Sequence, residues 1–423
     1  MKVLVIGSGG REHAIIWKLS QDKNVSKIFC LGLNKGISDI CETIDFKYEN
    51  INDLKDKILE LNPDLVVVGP ETPLSEGITN LLEENNILVF GPSKEAAKIE
   101  SSKIFSKELM LKNNIPTAYA KSFNKFDDAK KYSLTKGYEN IVIKADGLAR
   151  GKGVFLPKSE SEMINTLKSL LIEKNLGESG INILIEDKIC GSEVSVFTFT
   201  DGDTISEPIA VCDYKRVYDN NEGLNTGGMG CYTPPEFWNE ELKQTILKDI
   251  IYPTLKSMKK MGTPFKGILY SGIMITKNGP KVIEYNCRFG DPECELIMPM
   301  LDGNLSEIFL SISKSNFNNK LVKWKNKKGV SVVICSDGYP GEYKRGRKII
   351  GLDNINKNII CFHSGTKELE GNLVSNGGRV IVLSSLNKTI KESRANIYEE
   401  IDKVKFEGSF YRSDIALKAV END

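Results

Sequence analysis

Apolar and polar residues alternate in a regular way along the first part of the chain. Short apolar runs at 3–6, 27–31, 64–68 and 87–90 are separated by stretches with helical spacing, and each run leads into a turn rich in glycine or proline. Strands that alternate with helices predict a parallel sheet, with a ligand crevice at the carboxyl ends of its strands. We therefore interpret residues 1–102 as a doubly wound α/β domain.

The pattern changes beyond about residue 325. Strands at 330–335, 359–362 and 379–383 alternate with glycine turns, and a helix at 389–404 follows. Strands that are followed by a helix in this way predict an α+β domain, which we place at 326–423 as a cap. The expected fold class is therefore α/β and α+β multidomain.

Four local patterns give narrower predictions. Ser93 is positioned to cap one helix that continues to about residue 112. The polar, glycine-rich segment 213–230 is typical of a mobile loop or lid. Segment 376–379 is interpreted as a turn in preference to a substrate contact, and His363, at a strand end, as a structural histidine whose hydrogen bonds are satisfied.

Composition excludes several classes of function. Lys+Arg and Asp+Glu both number 57, so there is no net field for nucleic acid or an anionic membrane. The two histidines are too few for multi-histidine metal sites and make a Ser-His-Asp apparatus hard to assemble. Nine scattered cysteines without a C-x-x-C pair, and no apolar run long enough to span a bilayer, predict a cytoplasmic protein with free thiols.

The first glycine-rich turn, G-S-G-G-R-E-H, follows the first strand and opens a helix. Backbone N–H groups at such a helix start bind anions. The spacing is not G-x-G-x-x-G and no acidic residue follows the second strand, which argues against a dehydrogenase. A phosphate-bearing small molecule fits better, with Arg11 as its clamp and Glu71, after the third strand, near its hydroxyls or amine.

A second glycine-rich segment begins inside an apolar strand at Lys144 and continues to about residue 154. Its glycines allow the backbone to approach phosphates and the loop to close as a lid. The pattern is not a P-loop. A lysine in an apolar strand needs a partner, and an α- or β-phosphate would supply one.

The strand at 281–287 carries alternating polar residues. Because side chains two apart share a face, Glu284, Asn286 and Arg288 point the same way. A carboxylate with an amide oxygen suits Mg²⁺, and the guanidinium suits a transferring phosphoryl group. Asp291 and Glu293 add carboxylates in the turn that follows.

The run N-C-R-F-G-D-P-E at 286–293 closely resembles the signature of the glycinamide ribonucleotide synthetase (phosphoribosylamine–glycine ligase) family of ATP-grasp enzymes. The resemblance extends from G-S-G-G-R-E-H through N-T-G-G-M-G to F-Y-R-S-D-I near the end. It implies a central ATP-grasp domain at 103–325, with a mobile subdomain at about 118–192, between the two smaller domains.

The resemblance also implies an activity. Glycine would be ligated to 5-phosphoribosylamine at the expense of ATP, through a glycyl phosphate, to give glycinamide ribonucleotide, ADP and phosphate in purine biosynthesis. The cofactors would be ATP and Mg²⁺ or Mn²⁺, with no nucleic acid or membrane as partner. A transient contact with the upstream amidotransferase is possible under this resemblance. The oligomeric state, a monomer or a weak dimer, stays open.

The resemblance assigns roles residue by residue. It places the metal on Glu284 and Asn286 and gives catalytic roles to Arg288, Lys144 and Asp213. ATP would be bound by Lys103, Lys144, Lys152, Gly153, Glu186, Ile189 and Glu193. Glycine and phosphoribosylamine would be bound by Gly9, Gly10, Arg11, Glu12, Glu71, Asp213, Lys215, Gly228, Arg288 and Asp291. On the residues alone, Lys103 is one charge on a solvated helix face.

Two positions depart from the expected pattern. The family more often has His where this chain has Tyr214, and 267–283 lacks the further metal-binding carboxylate that many ATP-grasp enzymes carry there. Three rival functions are a sister ligase that uses another carboxylate, a non-catalytic nucleotide-binding module and, more distantly, a dehydrogenase. Dependence on glycine, release of ADP and binding of NAD would separate them.

Overall fold

The computed structural model describes residues 1–148 and 153–421. Its N-terminal part contains a five-stranded parallel sheet in the order β3-β2-β1-β4-β5. The strands are β1 (Lys2–Ile6), β2 (Lys27–Leu31), β3 (Glu42–Ile44), β4 (Leu65–Val68) and β5 (Leu88–Phe90). The helices are α1 (Gly10–Leu19), α2 (Lys35–Ser38), α3 (Ile51–Leu61), α4 (Glu71–Glu76), α5 (Ile78–Glu83) and α6 (Lys94–Ser101). Val3, Leu4 and Val5 have no exposed surface, as expected for a strand covered on both faces.

The strand order reverses on either side of β1, which confirms the predicted doubly wound sheet. Ligands bind at such a switch point, outside the carboxyl ends of the strands. Helix α1 begins at Gly10 just after β1, and α4 begins at Glu71 just after β4. The fold therefore brings Arg11 and Glu71 to the same crevice.

The prediction of a single helix from Ser93 to about residue 112 is wrong, because the helix is interrupted at Ser102. Ser102 has extended backbone angles (φ −133°, ψ 109°), and α7 (Lys103–Lys112) begins after it. The Asp146 carboxylate accepts hydrogen bonds from Ser102 Oγ and Ile104 N, both 3.1 Å, at the start of α7. This break turns Lys103 away from solvent and towards the interior of the molecule.

A second, four-stranded sheet lies within the predicted subdomain 118–192. Its strands are β6 (Ala120–Phe123), β7 (Ile141–Ala145), β8 (Val154–Phe155) and β9 (Ile183–Asp187), in the order β6-β9-β7-β8, with helices α8 (Phe126–Lys136) and α9 (Glu160–Leu171). The sheet has its own hydrophobic core, in which Ile143 packs with Phe123 and Leu167. It is therefore a unit with few apolar links to the rest of the chain.

The largest sheet has nine strands and crosses from the central part of the chain into the C-terminal part. The remaining strands of the chain are β10 (Ser192–Thr200), β11 (Ile209–Asp213), β12 (Arg216–Tyr218), β13 (Glu222–Asn225), β14 (Gly230–Thr233), β15 (Gly267–Thr276), β16 (Gly279–Asn286), β17 (Lys328–Ser336), β18 (Ile360–His363), β19 (Thr366–Leu369), β20 (Asn372–Ser375), β21 (Arg379–Asn387) and β22 (Ser409–Phe410). The order is β16-β15-β10-β11-β14-β17-β21-β18, and β22 pairs with β17. The helices are α10 (Glu240–Ile246), α11 (Tyr252–Lys260), α12 (Cys294–Met300), α13 (Leu305–Ser313), α14 (Ile390–Glu400) and α15 (Leu417–Val420).

Two features were not indicated by the sequence, one in this sheet and one in a separate two-stranded sheet. In the large sheet, β17 of the C-terminal region pairs directly with β14 in antiparallel register, Gly230 opposite Val332. Segment 213–230 was predicted as a long loop, but it contains the hairpin of β12 and β13. The two strands of this hairpin are too short to show an alternation of apolar and polar residues, so they are not evident in the sequence.

The first and last parts of the chain meet at two histidines. The backbone N of His363 donates to His13 Nδ1 at 2.8 Å, and His363 Nδ1 lies 2.9 Å from Thr366 Oγ1. The structural role predicted for His363 is confirmed by these contacts. Among the described residues, no helix is both long and apolar enough to cross a membrane.

Candidate active site

A cleft of about 960 Å³ opens between the three sheets. Most of the residues singled out in the sequence line it, namely Arg11, Glu71, Lys103, Lys144, Gly153, Glu186, Ile189, Glu193, Asp213, Lys215, Glu284, Asn286, Arg288 and Asp291. Gly9, Gly10, Glu12 and Gly228 are not part of its lining, although Arg11 and Gly227 beside them are. Lys152 lies outside the described residues. The cleft therefore unites the predicted site, and the role of each residue stays a prediction.

The glycines of the first turn make room for Glu12, which lies behind the cleft surface. A Cβ on Gly7 would fall 2.9 Å from Glu12 Cδ, and one on Gly9 would fall 3.0 Å from Glu12 Oε2. Glu12 accepts a hydrogen bond from Gly9 N at 2.6 Å and pairs with Arg11 Nε at 2.7 Å. Burial alone would lower the pKa of Arg11, but the Glu12 carboxylate raises it. Glu12 thus fixes the guanidinium that faces the cleft.

Six residues on one side of the cleft pair arginines with carboxylates, and we name them the arginine wall. They are Arg11, Glu71, Glu100, Arg288, Asp291 and Arg379. Arg288 lies 3.0 Å from Glu100 Oε1 and 3.4 Å from Glu71 Oε2, and it donates to Asn286 Oδ1 at 3.1 Å. Burial opposes the charge of Arg288, but Glu100 and Glu71 raise its pKa. Burial likewise acts to raise the pKa of Glu71, yet Arg288 and Arg11 lower it.

The opposite side, which we name the lysine wall, consists of Lys103, Lys107, Lys144 and Glu186. Lys144 Nζ lies 3.0 Å from Glu186 Oε2 and donates to Ile283 O at 3.0 Å. Lys107 Nζ lies 3.3 Å from the other oxygen, Glu186 Oε1. Burial lowers the pKa of Lys107 to about 8 although Glu186 opposes this. Two cations therefore share one carboxylate.

Lys103 completes the lysine wall and contacts a backbone carbonyl. Its Nζ donates to Gly147 O at 2.8 Å. Burial is the largest influence and lowers the pKa of Lys103, although Glu284 acts in the opposite direction. The residue lines the cleft, so the solvated helix face expected from composition alone is wrong.

Acidic groups line the floor of the cleft between the two walls. Asp213 ends β11, and burial raises its pKa, with Lys215 opposing and Glu293 adding to the rise. Lys215 is already ion-paired with Glu193. Ser195 Oγ bridges the floor, 2.8 Å from Tyr270 Oη and 3.4 Å from Glu293 Oε1. An ammonium group of a ligand would supply the counter-charge that Asp213 lacks.

Glu284 and Asn286 lie on β16 and face the cleft together, as the alternation predicted. Burial acts to raise the pKa of Glu284, but Lys215 and Lys144 lower it, so the carboxylate is ionised. One carboxylate and one amide oxygen fit a hard cation that keeps water and phosphate oxygens as further ligands. Within the described ranges, no group of three His, Cys, Asp or Glu side chains is arranged to hold a metal.

Several cleft residues escaped the sequence interpretation, chiefly Glu100, Lys107 and Arg379. Segment 376–379 does turn the chain, but Arg379 also reaches the cleft and lies 3.0 Å from Asp291 Oδ1. Tyr214, the departure from the family pattern, accepts a hydrogen bond from Ala416 N at 2.9 Å. The Tyr214 hydroxyl therefore binds the C-terminal segment.

Three family models match successive parts of the chain. They describe the N domain, the ATP-grasp (A) domain and the C domain of phosphoribosylglycinamide synthetase, and they match residues 1–100, 101–294 and 329–418. The chain is 43% identical to the phosphoribosylamine–glycine ligase of Caldanaerobacter subterraneus subsp. tengcongensis over 98% of its own length and 99% of that protein. The chain belongs to the phosphoribosylamine–glycine ligase family. The corresponding ligase of Halalkalibacterium halodurans is 41% identical, covering 99% of this chain and 97% of that protein.

A crystal structure agrees with this membership. Phosphoribosylamine–glycine ligase from Thermotoga maritima superposes with a TM-score of 0.85 at 32% identity, covering 98% of this chain and all (100%) of that one. The predicted ATP-grasp fold and the predicted enzyme class are confirmed. So is the activity, synthesis of glycinamide ribonucleotide in de novo purine biosynthesis. The three rival functions are set aside.

Proposed function

We propose that this chain forms glycinamide ribonucleotide in two chemical steps inside the single cleft. In the first, a glycine carboxylate oxygen attacks the γ-phosphorus of ATP, and the bond from that phosphorus to ADP breaks. In the second, the amine of 5-phosphoribosylamine attacks the glycyl carbon, phosphate leaves, and the amine loses a proton. The observation that carries the proposal is the convergence of Lys144, Asp213, Glu284 and Arg288 on one cavity.

The lysine wall would receive the ATP phosphates. Its cations are only partly neutralised, because Lys107 and Lys144 share Glu186 and Lys103 bonds a carbonyl. Phosphate oxygens are strong acceptors for such ammonium groups. Gly153, Ile189 and Glu193 also line the cleft, and we assign them and Lys152 to the nucleotide as well. Glu186 would act by holding the lysines.

Glu284 and Asn286 would hold Mg²⁺ or Mn²⁺, with water and phosphate oxygens as the other ligands. A bound ion of this kind supplies Lewis-acid polarisation and a template for the phosphates. Arg288 would face the transferring phosphoryl group. Its guanidinium lines the cleft and is held in place by Glu71, Glu100 and Asn286.

Glycine would bind on the acidic floor. The ammonium of glycine would lie against Asp213, whose burial without a direct cation is otherwise unfavourable. Lys215 would attract the glycine carboxylate, although Glu193 holds it in the absence of ligand. Phosphoribosylamine would bind at the crevice of the N-terminal sheet, where Arg11, Glu71 and Asp291 line the cleft, with Gly9, Gly10, Glu12 and Gly228 supporting that surface.

The test is release of ADP from Mg·ATP with glycine and freshly generated phosphoribosylamine, each omitted in turn. Release that requires both substrates supports the proposal. Release that is indifferent to glycine contradicts the glycyl phosphate step. The cytoplasmic location, the contact with an amidotransferase and the monomer or weak-dimer state stay predictions.

A further inference from the structure

Arg379 connects the C-terminal region to two loops of the cleft. It is the first residue of β21, immediately after the turn 376–378. Its Nη1 donates to Asp291 O at 2.6 Å and to Gly228 O at 3.3 Å, and its Nη2 lies 3.0 Å from Asp291 Oδ1. One guanidinium therefore contacts two segments. One is the acidic turn after β16, which contains Asp291, and the other is the glycine loop before β14, which contains Gly227 and Gly228.

The glycine loop is shaped to accept this guanidinium. A Cβ on Gly227 would lie 2.9 Å from Arg379 Nη2, and Gly228 has a φ of +126°, a conformation that side chains rarely adopt. Gly227 N donates to Tyr339 Oη at 3.0 Å, which is a second link between the loop and the C-terminal region. The loop thus rests on Arg379 and Tyr339.

Charge makes Arg379 necessary for the geometry of Asp291. Burial and the nearby Asp291 raise the pKa of Glu295, and Arg379 acts in the opposite direction. Without Arg379, the half-buried Asp291 carboxylate would lose its ion pair and be free to rotate. While Arg379 holds Oδ1, the other oxygen, Oδ2, lies 3.7 Å from the Cβ position of Gly9. That oxygen faces the first glycine turn.

We propose that Arg379 is a positioning residue for the phosphorylated ribosylamine substrate. Through its contacts with Asp291 it holds the carboxylate with Oδ2 turned towards the first glycine turn, to accept hydrogen bonds from sugar hydroxyls or the amine, and it fixes the loop at Gly228 over the same substrate. The inference rests on the proposed function, because Asp291 and Gly228 bind substrate there. It does not involve the lysine wall, so binding of ATP is independent of it.

The experiment compares Arg379→Met, Arg379→Lys and Tyr339→Phe with the wild-type protein. Tyr339→Phe is the matched control, because it removes the link to Gly227 N and leaves the Arg379–Asp291 pair intact. KM for phosphoribosylamine, glycine and ATP, kcat and Tm are measured for each. We expect Arg379→Met to raise KM for phosphoribosylamine about tenfold or more, with KM for ATP within about twofold. Arg379→Lys should recover part of the loss.

A second arm tests whether Arg379 acts through Asp291. In the Asp291→Asn background, Arg379→Met should add less than about threefold to KM for phosphoribosylamine, because the carboxylate that it orients is already gone. Equal increases in KM for ATP and phosphoribosylamine, a change in Tm alone, or full additivity in the double variant would overturn the inference. If Arg379→Met does not fold, Arg379→Lys decides, and an unchanged KM for phosphoribosylamine then overturns it.

This outcome is separable from the test of the proposed function. A wild-type protein that releases ADP whether or not glycine is present contradicts the proposed function itself. A wild-type protein that requires both substrates, together with a normal Arg379→Met variant, contradicts only the role of Arg379.

Discussion

The two walls of the cleft solve the problem of buried charge in different ways. On the lysine wall, burial lowers the pKa of Lys103 and Lys107, and Glu186 is the carboxylate in contact. On the arginine wall, carboxylates outweigh burial and raise the pKa of each guanidinium, those of Arg11, Arg288 and Arg379. The lysine wall is short of negative charge and the arginine wall is already neutralised. The first is suited to receive a polyphosphate, and the second to hold fixed geometry.

The largest expected effect comes from breaking the arginine wall at Arg288. Arg288→Met leaves Glu71 and Glu100 unpaired and removes the donor that faces the transferring phosphoryl group. We expect kcat to fall about 10²–10³-fold, as for loss of one preorganised donor, while the affinity for ATP changes far less. Steady-state release of ADP gives kcat, and calorimetry with a non-hydrolysable ATP analogue gives the affinity. Lys98→Met, at an exposed ion pair with Glu95, is the control. Near-normal turnover would remove Arg288 from the mechanism.

Breaking the lysine wall should show the opposite signature. Lys144→Met leaves Glu186 paired with Lys107 and removes one cation from the nucleotide site. KM for ATP should rise about 30-fold, equivalent to roughly 2 kcal/mol for one charge-assisted hydrogen bond. KM for phosphoribosylamine should be nearly unchanged. Lys144→Arg keeps the charge and should recover part of the affinity, whereas equal changes in both KM values would contradict the division into two walls.

Lys107 offers a finer test of how the shared carboxylate works. In Lys107→Met, Glu186 would pair with Lys144 alone, so that Lys144 should be less available to bind phosphate. We expect KM for ATP to rise about threefold to fivefold at pH 7. Because burial lowers the pKa of Lys107 to about 8, the wild-type ammonium is itself deprotonated as pH rises. The difference between variant and wild type should therefore shrink by pH 9, and a constant difference would exclude this mechanism.

The last test concerns the stability of the protein and a carboxyl group behind the arginine wall. Glu295 is fully buried, and both of its carboxyl oxygens lack a hydrogen-bond partner among the described residues. Burial raises its pKa well above 4.5, so the folded state holds a proton that the unfolded state loses above that pH. Stability should therefore decrease as pH rises from about 4.5 towards the raised pKa.

Glu295→Gln cannot ionise and removes this dependence. Its Tm should exceed that of the wild type at pH 7.5 and match it near pH 4.5, with a change of up to about 1.4 kcal/mol per pH unit between them. Glu42→Gln, at an exposed pair with Lys27, is the matched control. A Tm difference that does not vary with pH would mean that Glu295 is ionised in the folded protein.

The sequence was informative where function depends on local alternation. Glu284, Asn286 and Arg288 could be placed on one face because a strand fixes the direction of every second side chain. Lys144 could be identified because an ammonium in an apolar strand requires a partner. The residues that hold these site residues in place could not be identified in this way, because they are distant in the sequence. Cys287 N and Glu100 are 187 positions apart, and Arg379 and Asp291 are 88 apart.

Such partners have no signature of their own in one sequence. Glu100 belongs to a helix rich in Lys and Glu and looks like any solvated residue until the break at Ser102 turns the neighbouring helix inwards. Lys107 lies on α7, beyond this break, and its burial depends on the packing of α7 against β9. The residues on the predicted strands could therefore be identified, whereas their partners Glu100, Lys107 and Arg379 could not, because tertiary packing alone decides which charges meet.

The pairing of β14 with β17 has a consequence for the modularity of this enzyme. Deletion of the residues after 325 would remove β17, the partner of β14, and would leave the N–H and C=O groups of β14 unpaired at a new sheet edge. Such an exposed edge recruits other chains, so a protein shortened in this way should self-associate. Although family models divide the chain into three parts, the second and third parts share one β-sheet through the pairing of β14 with β17. The nucleotide-binding part of the chain therefore depends on the C-terminal part to complete its sheet.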